Sequence, residues 1–112
     1  MNVQIFGVKK SFDTQKAERY FKERKIKYQY VDLARYGLSK GELQSVKNAV
    51  GLENLVDYAG EEYRARGLRY FNKGIVTEEM LLDNLKLLKV PIVRNGRMAT
   101  VGYRPEVWKT WE

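Results

Sequence analysis

Ser11 and Thr14 place two hydroxyls three residues apart where a short apolar run gives way to a helical pattern, and Lys9 and Lys10 stand just before them. A hydroxyl at a helix start caps the backbone, or with an adjacent base it acts as a nucleophile. The chain has no cysteine and no histidine. Thiol catalysis, disulfides and cysteine-based metal sites are therefore excluded, as is any mechanism with a histidine base. Neither spacing nor burial pattern marks Lys9 or Lys10 as a neutral amine, so Ser11 reads as an N-cap. The helix start still offers unpaired N–H groups and a positive dipole end beside two lysines, chemistry suited to a phosphate, sulfate or carboxylate. No acidic cluster has a recognisable metal-ligand spacing. No cofactor is expected.

These residues must be held by the elements around them. Val3 to Phe6 reads as a strand ended by Gly7, and the helix that follows starts between Ser11 and Thr14. Ala17, Tyr20, Phe21 and Arg24 recur at three- and four-residue spacing and form the expected core stripe, with Lys16, Glu18, Arg19, Lys22 and Glu23 on the opposite face. Tyr28 to Val31 is a second strand, its two tyrosines on one face and Val31 on the other. Strand, helix and strand within about 30 residues imply a parallel βαβ unit.

Ser39 and Glu42 have the spacing of a capping box and predict a helix through Val50, with Gly51 just beyond it. Glu61 to Leu68 reads as a short helix, and the stretch from about 39 to 75 as a helical insertion. Thr77 caps a further helix, whose apolar run from Met80 to Leu88 predicts deep burial. Asn95-Gly96, between Pro91–Arg94 and Arg97–Val101, predicts a hairpin with both residues central in the turn. Pro105 suits the first turn of a last helix, which Val107, Trp108 and Trp111 would dock onto the sheet.

Composition bounds the function. The 112 residues suit one domain, and 44% hydrophobic content is enough for one core. No stretch approaches the roughly 18 apolar residues of a membrane span, and the first residues lack a signal peptide's apolar run, so a cytoplasmic protein is expected. Of the net charge of +7, residues 1–27 carry +5, from eight Lys and Arg against three acids. Such a field favours an acidic protein face, nucleic acid or a small anion. Aromatic residues interleaved with basic ones can stack single-stranded nucleic acid. Here their helix and strand spacing is better explained by core packing, which disfavours nucleic acid as a partner.

Several stretches, in order, resemble the ArsC/Spx family of arsenate-reductase-like proteins. Ile5-Phe6-Gly7 and Ser11-Phe12-Asp13-Thr14-Gln15-Lys16-Ala17 look like its first strand and its C-x-x-C-[RQ]-K-A loop. Asp57 to Arg64 is similar to its N-x-R-G-x-x-Y-R segment. Pro91-Ile92-Val93 and Val101-Gly102-Tyr103-Arg104-Pro105-Glu106 are similar to its R-P-I and V-G-[FY]-x-P-E segments. The resemblance covers nearly the whole chain. It implies an α/β, thioredoxin-like fold over residues 1–112, with a central mixed four-stranded sheet and a cis Val90-Pro91 bond.

The departures fall on the chemistry. Ser11 and Thr14 stand where the family has its cysteines, Val90 replaces the arginine before the proline, and Ala59 falls where a mid-chain arginine is common. The resemblance therefore implies an oxidoreductase scaffold without its thiols and with a weakened oxyanion cradle. The favoured expectation is a non-catalytic binding or transcription-regulatory module for an acidic partner. By resemblance to Spx, that partner would be the C-terminal domain of RNA polymerase α. The alternatives are an arsenate reductase or glutaredoxin relative that has lost its catalytic cysteines, and an oxyanion or glutathione binder. Lys9, Lys10, Ser11, Thr14 and Pro91 are the expected binding residues.

Overall fold

Alternation along the strands decides which side chain goes to which side of the sheet. In the computed structural model, which describes residues 1–112, β1 (Val3–Gly7) is central. It pairs in parallel with β2 (Tyr28–Asp32) and antiparallel with β3 (Ile92–Asn95), which pairs with β4 (Met98–Val101). The order is β2-β1-β3-β4, a mixed four-stranded sheet. Val3, Ile5, Val93, Tyr28 and Tyr30 face one side, where α1 (Phe12–Glu23) contributes Ala17, Tyr20 and Phe21. Trp108 of α6 (Pro105–Trp108) completes this core, and its indole N–H donates to Thr100 Oγ1 at 2.8 Å.

Phe6, Val31 and Ile92 face the other side, against the larger core built by the insertion. That side holds α2 (Leu33–Tyr36), α3 (Lys40–Val50), α4 (Glu61–Ala65) and α5 (Glu78–Asp83), joined by short 3-10 turns. The Ser39/Glu42 capping box is fully formed. An isolated antiparallel bridge, Val56 to Leu88, stitches the insertion to the segment leading into β3. Beside it Asp57 N–H donates to Leu87 O and Lys89 N–H to Leu55 O, both at 2.8 Å. No helix is long and apolar enough to cross a membrane.

Three expectations need correction. Arg24 is not in the core stripe: it is exposed at the C-cap of α1, with its guanidinium 3.7 Å from the Tyr20 ring centroid, because a cation at a helix end stays in reach of water and stacks on an aromatic face. The apolar run 80–88 is not one helix. Asn84 ends α5, its Oδ1 accepts from Lys86 N–H to start a 3-10 turn, and its amide donates to Glu62 at 2.8 Å. The hairpin turn lies one residue later than expected. Asn95 pairs with Met98, so Gly96 and Arg97 are central, and only Gly96 has positive φ (60°), the pattern of a II′ turn.

Candidate functional site

The end of β1 delivers the chain to the site. Loop residues 8–11 are tied back on themselves: Ser11 N–H donates to Val8 O at 3.1 Å, and Gln15 Nε2 donates to Lys9 O at 2.8 Å. Ser11 has extended backbone (φ −76°, ψ 120°) and caps α1, its Oγ accepting from Thr14 N–H at 3.1 Å. No carboxylate or amine hydrogen-bonds that hydroxyl, so nothing activates it for attack.

Thr14 points inward. Only 1% of it is exposed, and its Oγ1 has no hydrogen-bond partner. It packs on Gly7 so closely that a Cβ there would lie 2.5 Å from the Thr14 side chain, which explains the glycine at the strand end.

Register brings Pro91 to the same end of the sheet, because Phe6 pairs with Ile92. The Val90-Pro91 bond is cis, as the resemblance implied, and the Pro91 carbonyl accepts from Gly102 N–H at 2.8 Å. Lys9 and Lys10 are exposed at the rim, and neither is in a salt bridge. The fold thus gathers Ser11, Thr14 and Pro91 around the end of β1 with two cations beside them. Ala59 lies in the turn closed by Gly60 N–H to Asp57 O at 3.1 Å.

A second feature adjoins this site. A groove runs along α1 between Lys16, Arg19 and Glu23 on one wall and Tyr103 and Pro105 on the other, with Tyr20 and Arg24 at one end. Lys16 Nζ sits 5.8 Å from the centroid of the Tyr103 ring. At the Arg24 end, Glu112 accepts from Tyr20 O–H at 3.2 Å and lies 3.8 Å from Arg24 Nε. Burial raises the Tyr20 phenol pKa, while Arg24 works against the shift. The pKa of Glu106, next in sequence to Pro105, is lowered chiefly by the hydrogen bond from Arg104.

Phe12, the first residue of α1, is 78% exposed. The sequence held a signal for this. Phe12 shares the polar face of Lys16, Arg19 and Glu23 at helical spacing, out of phase with the Ala17/Tyr20/Phe21 stripe. An aromatic on a basic face marks a surface that the core does not explain.

No family model matches the chain, and no curated protein matches it. Solved structures do. An ArsC family related protein from Bacteroides fragilis is 26% identical, with a TM-score of 0.80 over 100% of this chain and 98% of that one. An arsenate reductase from Vibrio cholerae is 20% identical, with a TM-score of 0.79 over 96% of this chain and 94% of that one. The glutaredoxin-like NrdH-redoxin from Escherichia coli matches at 12% identity and a TM-score of 0.52, over 100% of this chain and 96% of that one. With its mixed sheet, its helical insertion and Ser11 and Thr14 at the head of α1, the chain has the thioredoxin-like fold of the ArsC family and carries it without a cysteine.

Proposed function

We propose that this chain is a non-catalytic binding module that engages an acidic protein partner through the basic face of α1. The observation that carries the reading is the state of Ser11. It occupies the position of the family's nucleophile by resemblance, and its hydroxyl is committed to Thr14 N–H as an N-cap. A serine there cannot form a disulfide, and without a base it is a poor nucleophile. The surface around it is exposed and basic, with Lys9, Lys10, Lys16, Arg19 and Lys22 all in solvent. Such a field speeds encounter with an acidic protein and disfavours a basic one.

The resemblance to Spx makes the C-terminal domain of RNA polymerase α the first partner to test. An amide-resolved NMR titration at low and at physiological salt is the measurement. Saturable shifts on α1 at both salts support the reading. Shifts that vanish at physiological salt reduce it to unspecific attraction. Arsenate turnover with glutathione and glutaredoxin, dependent on this protein, would overturn it.

A second reading has its own support. Ser11 caps only the Thr14 N–H, so the N–H groups of Phe12 and Asp13 are left without a partner, and Lys9 and Lys10 are in no salt bridge beside them. Binding of a small oxyanion or glutathione there predicts saturable shifts of the amides of residues 11–14. Their absence at millimolar ligand removes that reading.

A further inference from the structure

We infer that the groove along α1 seats an extended, acid-rich peptide segment of the partner, with an apolar residue of that segment held against Phe12. The inference rests on the acidic-partner reading above and assigns it a place and a recognition pattern.

Charge is the first argument. The groove is lined by Lys16, Arg19 and Arg24 with one carboxylate, Glu23, while the neighbouring Glu112 and Glu106 are taken up by Arg24 with Tyr20 and by Arg104. Arg24 is already matched, stacked on Tyr20 and facing Glu112. Lys16 and Arg19 have no such match. The Arg24 end shows how a carboxylate sits on this surface: between a cation and an aromatic wall, accepting from a phenol. Lys16 over Tyr103 repeats the cation and the aromatic wall without the carboxylate. A glutamate or aspartate from outside supplies the missing member. Tyr103 is 40% exposed, so its ring is open to it.

Spacing is the second argument. Phe12 and Lys16 are one turn apart on the same face, about 6 Å along the axis. Alternate side chains of an extended peptide are about 6.6 Å apart. A segment lying along α1 can therefore set an apolar residue on Phe12 and an acid two residues away on Lys16, with the next acid reaching toward Arg19. The exposed Phe12 gives the groove selectivity for an apolar residue beside the acids, which charge alone cannot supply.

The test is fluorescence anisotropy at about 0.15 M salt, where screening removes most unspecific attraction. The probes are a labelled glutamate-rich octapeptide with one central leucine, the same peptide without leucine, and its glutamine-for-glutamate version. The leucine peptide is expected to bind most tightly and the glutamine version not at all. The double variant K16E/R19E is expected to weaken binding at least about tenfold, with circular dichroism confirming its fold. K89E/R97E changes net charge equally at exposed sites away from the groove and is expected to leave binding unchanged. Phe12→Ala is expected to cost about fivefold with the leucine peptide and nothing with the all-glutamate one.

Equal losses from the two double variants would overturn the groove while leaving a general acidic-partner field standing. So would peptide shifts mapping to another face. Tighter binding of an oligothymidylate, or of a second copy of this chain, would overturn both the groove and the acidic-partner reading. So would failure of both the peptides and the polymerase domain to bind.

Discussion

Thr14 and Ser11 have opposite energetic roles although both are hydroxyls at one helix start. Ser11 satisfies an orphan N–H, so Ser11→Ala is expected to cost about 1 kcal/mol in urea unfolding. Thr14 buries an unpaired hydroxyl under the loop. Thr14→Val keeps its shape and removes that desolvation cost, so a gain of about 1 kcal/mol is expected in the same assay. A loss there would mean that the hydroxyl has a partner, such as a water, in solution. The capping role was legible from Ser11 and the helical pattern behind it. The burial of Thr14 was not, because it depends on Gly7 packing against it across the loop.

At the scale of elements, Asn84 is the residue that the apolar pattern concealed. Leucines at 81, 82, 85, 87 and 88 fit one helix, with Asp83, Asn84 and Lys86 set among them. Its side chain stops α5, caps the next turn and bridges to Glu62. A contact spanning that many residues leaves no local trace. The Asn84 hydrogen bond is also the largest cause of the lowered Glu62 pKa, ahead of Arg66. Asn84→Ala is expected to cost about 1–2 kcal/mol by loss of the cap and of the bridge. It is also expected to return the Glu62 carboxyl toward its ordinary value, read by carbon-detected NMR titration. By contrast the capping box at Ser39 and Glu42 was fully legible, since both partners lie within one turn. The hairpin was legible in kind but not in register, because Asn-Gly suits I′ and Gly-X suits II′ equally well.

For the whole molecule, the sheet separates two cores, and Tyr28 stands at the margin of the smaller one. Its O–H donates to Glu18 at 3.0 Å, tying β2 to α1. Burial first, then that hydrogen bond, raises its pKa from 10.0 to about 12. The folded state thus holds this proton more tightly than the unfolded chain. The stabilisation is fully present below about pH 10 and is lost between about pH 10 and 12. Urea midpoints measured across that window are expected to fall more steeply for the native chain than for Tyr28→Phe. Parallel curves would show that Tyr28 does not couple to folding. The βαβ unit and closing hairpin were readable because each is local. The α1 groove was not, because Tyr103 meets Lys16 only once the sheet has assembled.

The II′ turn at Gly96 and Arg97 has a practical consequence. β3 runs antiparallel to β1, so this turn lies at the end of the sheet away from Ser11, Pro91 and the loop that holds Lys9 and Lys10. A Cβ at Gly96 would meet nothing within 4 Å, and Arg97 is exposed. The hairpin tip is therefore the natural point of attachment. A dye, an affinity handle or a surface tether placed between Gly96 and Arg97 would hold the protein with Ser11, Pro91 and the Lys9–Lys10 loop facing the solution.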